Sequence, residues 1–93
     1  VIRVLFYTKP DCGLCDEAWA LLRRWEERYP LAIQVRDIRE NPEWFERYWD
    51  RIPVIQVEGG ATLEAPIHPG DLERALAQVA RQRGISSTAP RTG

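Results

Sequence analysis

Cys12 and Cys15, separated by Gly13 and Leu14, stand where an apolar run ends and a helical pattern begins, and nothing else restricts this chain so tightly. Val1 to Tyr7 reads as a short buried strand, β-branched and aromatic, interrupted only by Arg3. A polar loop holding Lys9, Pro10 and Asp11 follows it. Leu14, Ala18, Leu21, Leu22, Trp25 and Tyr29 then recur at helical spacing, with Arg23, Arg24, Glu26, Glu27 and Arg28 on the other face, and Pro30 stops the helix. Cys12 is therefore expected at or just before a helix N-terminus, with Cys15 about one turn further in. Unpaired amides and the helix dipole favour an anion there, which makes Cys12 more acidic than a free thiol. Cys15 is close enough to attack a mixed disulfide formed on Cys12, the minimum apparatus for thiol–disulfide exchange.

Two other readings of the pair stay open. Structural zinc wants four ligands, and with His68 as the sole histidine a closed site needs a carboxylate or a second chain. Alternatively the thiols are idle, or sense oxidation, in a domain that only binds. A structural staple is a poor account, because the loop between the two cysteines is too short for a useful entropic gain.

The remaining chain supplies a small α/β frame. Leu31, Ile33 and Val35 alternate with Ala32, Gln34 and Arg36 in a second strand, joined to the first by one helix and so its parallel neighbour. Asn41-Pro42 is a helix start, with Asn as N-cap and Pro at the first helical position. Trp44, Phe45, Tyr48 and Trp49 cannot all face one core, so one or two of them are expected to be exposed. Ile52 to Val57 is a third strand, opened by Pro53, and Glu58-Gly59-Gly60 turns it into a hairpin partner at Ala61 to Ala65. Leu72, Ala75, Leu76, Val79 and Ala80 form the stripe of a last helix, with Gly84 as its C-cap. The order β-α-β-α-β-β-α implies a four-stranded mixed sheet with helices on both faces. Residues 1–84 make one domain, and 85–93 a flexible tail.

A formal net charge of −1 gives no reason to expect nucleic acid or an anionic membrane as partner, and no apolar run approaches a membrane span. With no visible secretion signal and no disulfide framework, a cytoplasmic monomer is expected.

Tyr7-Thr8-Lys9-Pro10-Asp11-Cys12-Gly13-Leu14-Cys15 resembles the active-site segment of glutaredoxins, and Arg51-Ile52-Pro53-Val54 stands where that family carries its cis-proline segment. Element order and length match up to about Gly84, nearest to the glutaredoxin-like group with a C-x-L-C-[DE]-E active site. The resemblance implies a thioredoxin fold, with Cys12 as nucleophile, Cys15 as resolving thiol and Pro53 cis. It implies that the Ile52 backbone and Pro53 meet an incoming substrate strand. It also makes Lys9 a counterpart of the family's glutathione-contacting lysine, and Asp71 of the second acid in its glutathione segment.

Three departures qualify this. Gly13-Leu14 replaces the usual residues between the cysteines, and Asp16 and Glu17 stand where basic residues are common. Ile67-His68-Pro69-Gly70-Asp71 lacks the glycine pair that holds the glutamyl end of glutathione. The expected activity is thus reduction of protein or small-molecule disulfides, without metal or tightly bound cofactor. Electrons would come from glutathione as co-substrate or from a thioredoxin-reductase system.

Overall fold

The computed structural model describes residues 1–85, so the expected tail lies, from residue 86 on, outside the described residues. The elements are β1 (Ile2–Thr8), α1 (Gly13–Trp25), β2 (Leu31–Asp37), α2 (Pro42–Tyr48), β3 (Val54–Val57), β4 (Thr62–Glu64) and α3 (Pro69–Arg83), with a single 3₁₀ turn at Ile38–Glu40 before α2. The sheet order is β2-β1-β3-β4. β1 and β2 run parallel from Ile2↔Leu31 to Thr8↔Asp37. β3 is antiparallel to β1, with Val54 opposite Tyr7, and β4 returns beside β3 with Glu64 opposite Val54. This is the mixed α/β architecture expected of a thioredoxin-like fold.

Alternation along the strands divides the core between two faces. Ile2, Val4 and Phe6 of β1 and Ile55 and Val57 of β3 point to one side, where they meet Ala18 and Leu22 of α1 and the Leu72, Ala75, Leu76, Val79 and Ala80 stripe of α3. Tyr7 and Val54 point to the other side, where Ile38 and the half-buried Trp44 and Tyr48 pack on them. α2 is short and covers only part of this second face. An open groove floored by Leu5 and rimmed by Arg3, Gln34 and Gln56 occupies the rest.

Local signals explain most boundaries. The Asn41 side chain accepts from the amides of Glu43 and Trp44, and Pro42 opens α2. Gly84 takes the left-handed conformation (φ 68°) and the Ile85 amide donates to Ala80 O at 2.8 Å, closing α3. Gly59 turns the hairpin at φ 81°. At Gly60 the reason is space: a Cβ there would lie 2.6 Å from Cγ2 of buried Val79, so the hairpin turn can approach α3 only without a side chain.

Three local expectations differ. α1 ends at Trp25, and residues 26–29 continue as looser turns, with Tyr29 stacked on Trp25 at 5.8 Å. Leu14 leaves the apolar stripe and is 53% exposed, because its position between the cysteines faces solvent. Val35 is likewise exposed, since β2 is an edge strand and no helix reaches that far along it. Of the four aromatics, Phe45 and Trp49 are the exposed ones. No helix among the described residues is long and apolar enough to cross a membrane.

Candidate active site

β1 delivers its C-terminal end to the start of α1 through residues 9–12. Asp11 adopts the left-handed conformation (φ 56°), which a short polar side chain tolerates, and so turns the chain sharply into the helix. Cys12 is the N-cap of α1, in extended conformation, and its Sγ accepts the Cys15 amide at 3.2 Å. One of the orphan donors of the helix start thus points at sulfur. Cys12 and Cys15 are joined as a disulfide with Cα atoms 5.2 Å apart. The two sulfurs are not equivalent. Cys12 is partly exposed, whereas Cys15 is 2% exposed and belongs to the core beneath α1.

The same end of the sheet gathers Lys9, Ile52 and Pro53 of the other residues singled out from the sequence. Val54 pairs with Tyr7, which sets Pro53 beside the end of β1. The Ile52–Pro53 bond is cis and Pro53 is buried; Ala65–Pro66 is a second cis bond that no sequence signal announced. The Ile52 amide donates to Tyr48 O at 3.1 Å, so the carbonyl is the backbone group that Ile52 can still offer to a substrate strand. Arg51 fixes the loop through its amide to Tyr48 O, its carbonyl to the Ala65 amide and its guanidinium to Glu64 at 3.1 Å.

Lys9 is exposed and makes no ion pair among the described residues. β4 brings the chain back to this end at Glu64, opposite Val54, and residues 65–68 lead from there to α3, whose first residues Pro69 and Gly70 share a cleft with Leu21, Arg24 and Trp25 of the second half of α1. His68 is the N-cap of α3 but makes no side-chain capping bond. Asp71 sits in the first turn, and its carboxylate is taken by Arg74. Among the described residues, no cluster of His, Cys, Asp and Glu could hold a metal ion.

Three charged residues near the site were not singled out from the sequence. Asp37, opposite Thr8 in the sheet, accepts the Arg39 amide at 2.9 Å and its guanidinium at 2.7 Å. Those side-chain and backbone bonds hold the Asp37 carboxyl below the usual range, and Asp37 raises Arg39 in turn, with Asp11 adding a smaller attraction. Arg36 lies over the rings of Trp44 at 4.8 Å and Tyr7 at 5.6 Å and donates to the Tyr7 hydroxyl at 2.9 Å. A strand residue that reads as merely polar thus pins α2 to the sheet. Only the position of Arg36 beside two distant aromatics shows this.

An expected result follows from the unequal burial. Brief alkylation of the reduced protein labels Cys12 in preference to Cys15, by roughly tenfold or more given their access. Peptide mapping checks this, and preferential label on Cys15 contradicts the expectation that Cys12 is the reactive thiol.

The comparisons agree with this fold. A family model described as a glutaredoxin-like domain (DUF836) matches residues 3–77. An X-ray structure of the Northeast Structural Genomics target protein XcR50 from X. campestris superposes with a TM-score of 0.68 at 25% identity, over 81% of this chain and 96% of that one. A structure titled as that of a malarial protein gives 0.65 at 14% identity, over 84% and 96%, and shows likeness of fold.

Proposed function

This chain belongs to the glutaredoxin-like domain family, and from that premise we propose that it is a dithiol thiol–disulfide oxidoreductase acting on disulfides of proteins or small molecules. The observation that carries the reading is the unequal pair: a partly exposed Cys12 capping α1 and a buried Cys15 one turn behind it.

In the reduced protein, the Cys12 thiolate attacks one sulfur of the substrate disulfide. The substrate S–S bond breaks, and the departing thiolate takes a proton from solvent. Cys15, as thiolate, then attacks Cys12 Sγ. This forms the intramolecular disulfide and releases the second substrate thiol. Two electrons pass from the dithiol to the substrate, and an external thiol reductant returns them. The backbone amide aimed at Cys12 Sγ stabilises negative charge on that sulfur, both as nucleophile and as leaving group. Half-buried Ile52, set just before the buried Pro53, lines the substrate approach, and exposed Lys9 offers a cation to it. No bound metal or organic cofactor takes part. The reaction is suited to a reducing compartment such as the cytoplasm.

The test is insulin disulfide reduction, run once with glutathione and its reductase and once with a thioredoxin-reductase system. Turnover in either supports the proposal. Absence of turnover in both, with Cys12 no more reactive than a free thiol, leaves a binding or oxidation-sensing module instead.

Glutathione is expected to be the poorer donor. A carboxylate at a helix start is held by free amides. At the start of α3, Pro69 has no amide proton and the Asp71 amide already donates to His68 O at 3.0 Å, which leaves Gly70 as the open donor of the first three positions. Each lost buried bond costs about 1–3 kcal/mol, so glutathione-driven turnover should rise nearly linearly with concentration, without saturating. Tight, saturable glutathionylation of Cys12 would show the opposite.

A further inference from the structure

The charges around Cys12 bear on which disulfides reach it. Asp11 precedes it in the turn. Asp16 lies one helical turn below, with its amide donating to Cys12 O at 3.1 Å, and Glu17 follows. All three are exposed, and none forms an ion pair among the described residues. The cations at this end do not balance them. Arg39 feels Asp11, but its guanidinium is committed to Asp37. Arg51 is engaged by Glu64 and Asp50, and Arg36 is stacked on Tyr7 and Trp44. Arg47 lies over the Tyr48 ring on α2, which leaves Lys9 as the cation in the cysteine loop itself, beside three carboxylates.

We propose that Asp11, Asp16 and Glu17 make Cys12 selective for disulfides that carry positive charge beside the sulfurs, and disfavour anionic ones such as oxidised glutathione. This rests on the oxidoreductase reading and names its substrate class. Like charges within a Debye length repel and opposite charges attract. The approaching disulfide must bring its substituents to the start of α1, where the acids stand. Attack is the step written above, so the field acts on the encounter of Cys12 with substrate and leaves the balance of atoms and electrons unchanged.

The experiment follows oxidation of the pre-reduced chain by three symmetric disulfides: cystamine (cationic), hydroxyethyl disulfide (neutral) and dithiodipropionate (anionic). Formation of the Cys12–Cys15 disulfide is read by mass spectrometry after acid quench. Each rate is divided by that of dithiothreitol with the same disulfide, because leaving-group basicity changes intrinsic reactivity. The expected order is cationic, neutral, anionic. The first and last should differ by about tenfold at low ionic strength, and the ratio should fall towards one in about 1 M salt. The variant Asp11→Asn/Asp16→Asn/Glu17→Gln should lose most of the ratio while still reacting with the neutral disulfide. The wild-type salt dependence gives the same information should that variant not fold. Equal normalised rates for the three disulfides, or an unchanged ratio in the folded variant, overturn the inference and leave the oxidoreductase reading standing. Failure of the dithiol to react with any of the three overturns both.

Discussion

On the proposed function, Cys12→Ser should abolish disulfide reduction, and Cys15→Ser should let the reaction start but not finish. The first loss should be roughly a thousandfold or more, since serine at neutral pH is a far weaker nucleophile than a thiolate. The second variant is the more informative. Cys12 keeps its place as N-cap and its partial exposure, so it still attacks. Without a second thiol at 5.2 Å Cα separation, nothing inside the molecule resolves the product. A mixed disulfide with substrate should therefore accumulate one to one with protein. Intact-mass measurement after exposure to a disulfide substrate reads it directly. Position 15 is buried, so serine there adds a hydroxyl to the core. Cys15→Ala separates that effect from loss of the thiol and should trap the same adduct. If Cys12→Ser instead traps substrate on Cys15, the assigned roles are reversed.

Leu76→Ala should be the most damaging of the simple core truncations in α3. Leu76 is fully buried in the middle of the helix, in the cluster built from β1, β3, α1 and α3. Removing it leaves a hole bounded by strands on one side and a helix on the other, neither of which can close it. Such truncations cost about 2–5 kcal/mol, out of a total of about 5–15 kcal/mol for a domain of ordinary stability. The urea midpoint should fall by roughly 1–3 M at an unchanged slope. Val35→Ala is the control. Val35 is 51% exposed on the edge strand, and its truncation should stay within about 0.5 kcal/mol of the wild type. A small effect at Leu76 would mean that α3 is not integral to the core.

These two expectations draw on different layers of what the sequence makes legible. Period-two alternation in β1 and 3.6-residue spacing in α3 are local and strong, so the faces they bury follow directly from the chain. The caps at Asn41 and Gly84 are equally local, as is Cys12 at the start of α1. What escaped depends on neighbours far along the chain. Val35 has the right pattern but lies where no helix covers it. α1 has a helical stripe out to Tyr29 yet ends at Trp25, because the turn into β2 must set Leu31 beside Ile2. Within the site, the engagement of the Ile52 amide with Tyr48, the grip of Arg74 on Asp71 and the Asp37–Arg39 pair cannot be read from composition or spacing. Each decides how much of a residue's hydrogen-bonding capacity remains for a ligand.

The short helix α2 has one more consequence. None of its residues is buried, and it is held to the sheet by Trp44 and Tyr48 over Tyr7 and by the guanidinium of Arg36. The Tyr48 carbonyl holds the amides of Arg51 and Ile52, so α2 and the Pro53 loop are mechanically one piece. Cooperative units with little buried apolar area open at a fraction of the cost of global unfolding. Cys12, the nucleophile of the proposed reaction, therefore stands at the start of α1, which is anchored in the main core, while the surface beside Pro53 hangs from a helix with none of its residues buried. On the proposed function, substrates of differing shape would be accommodated by breathing of α2 together with the loop it carries, with the cysteine pair held still.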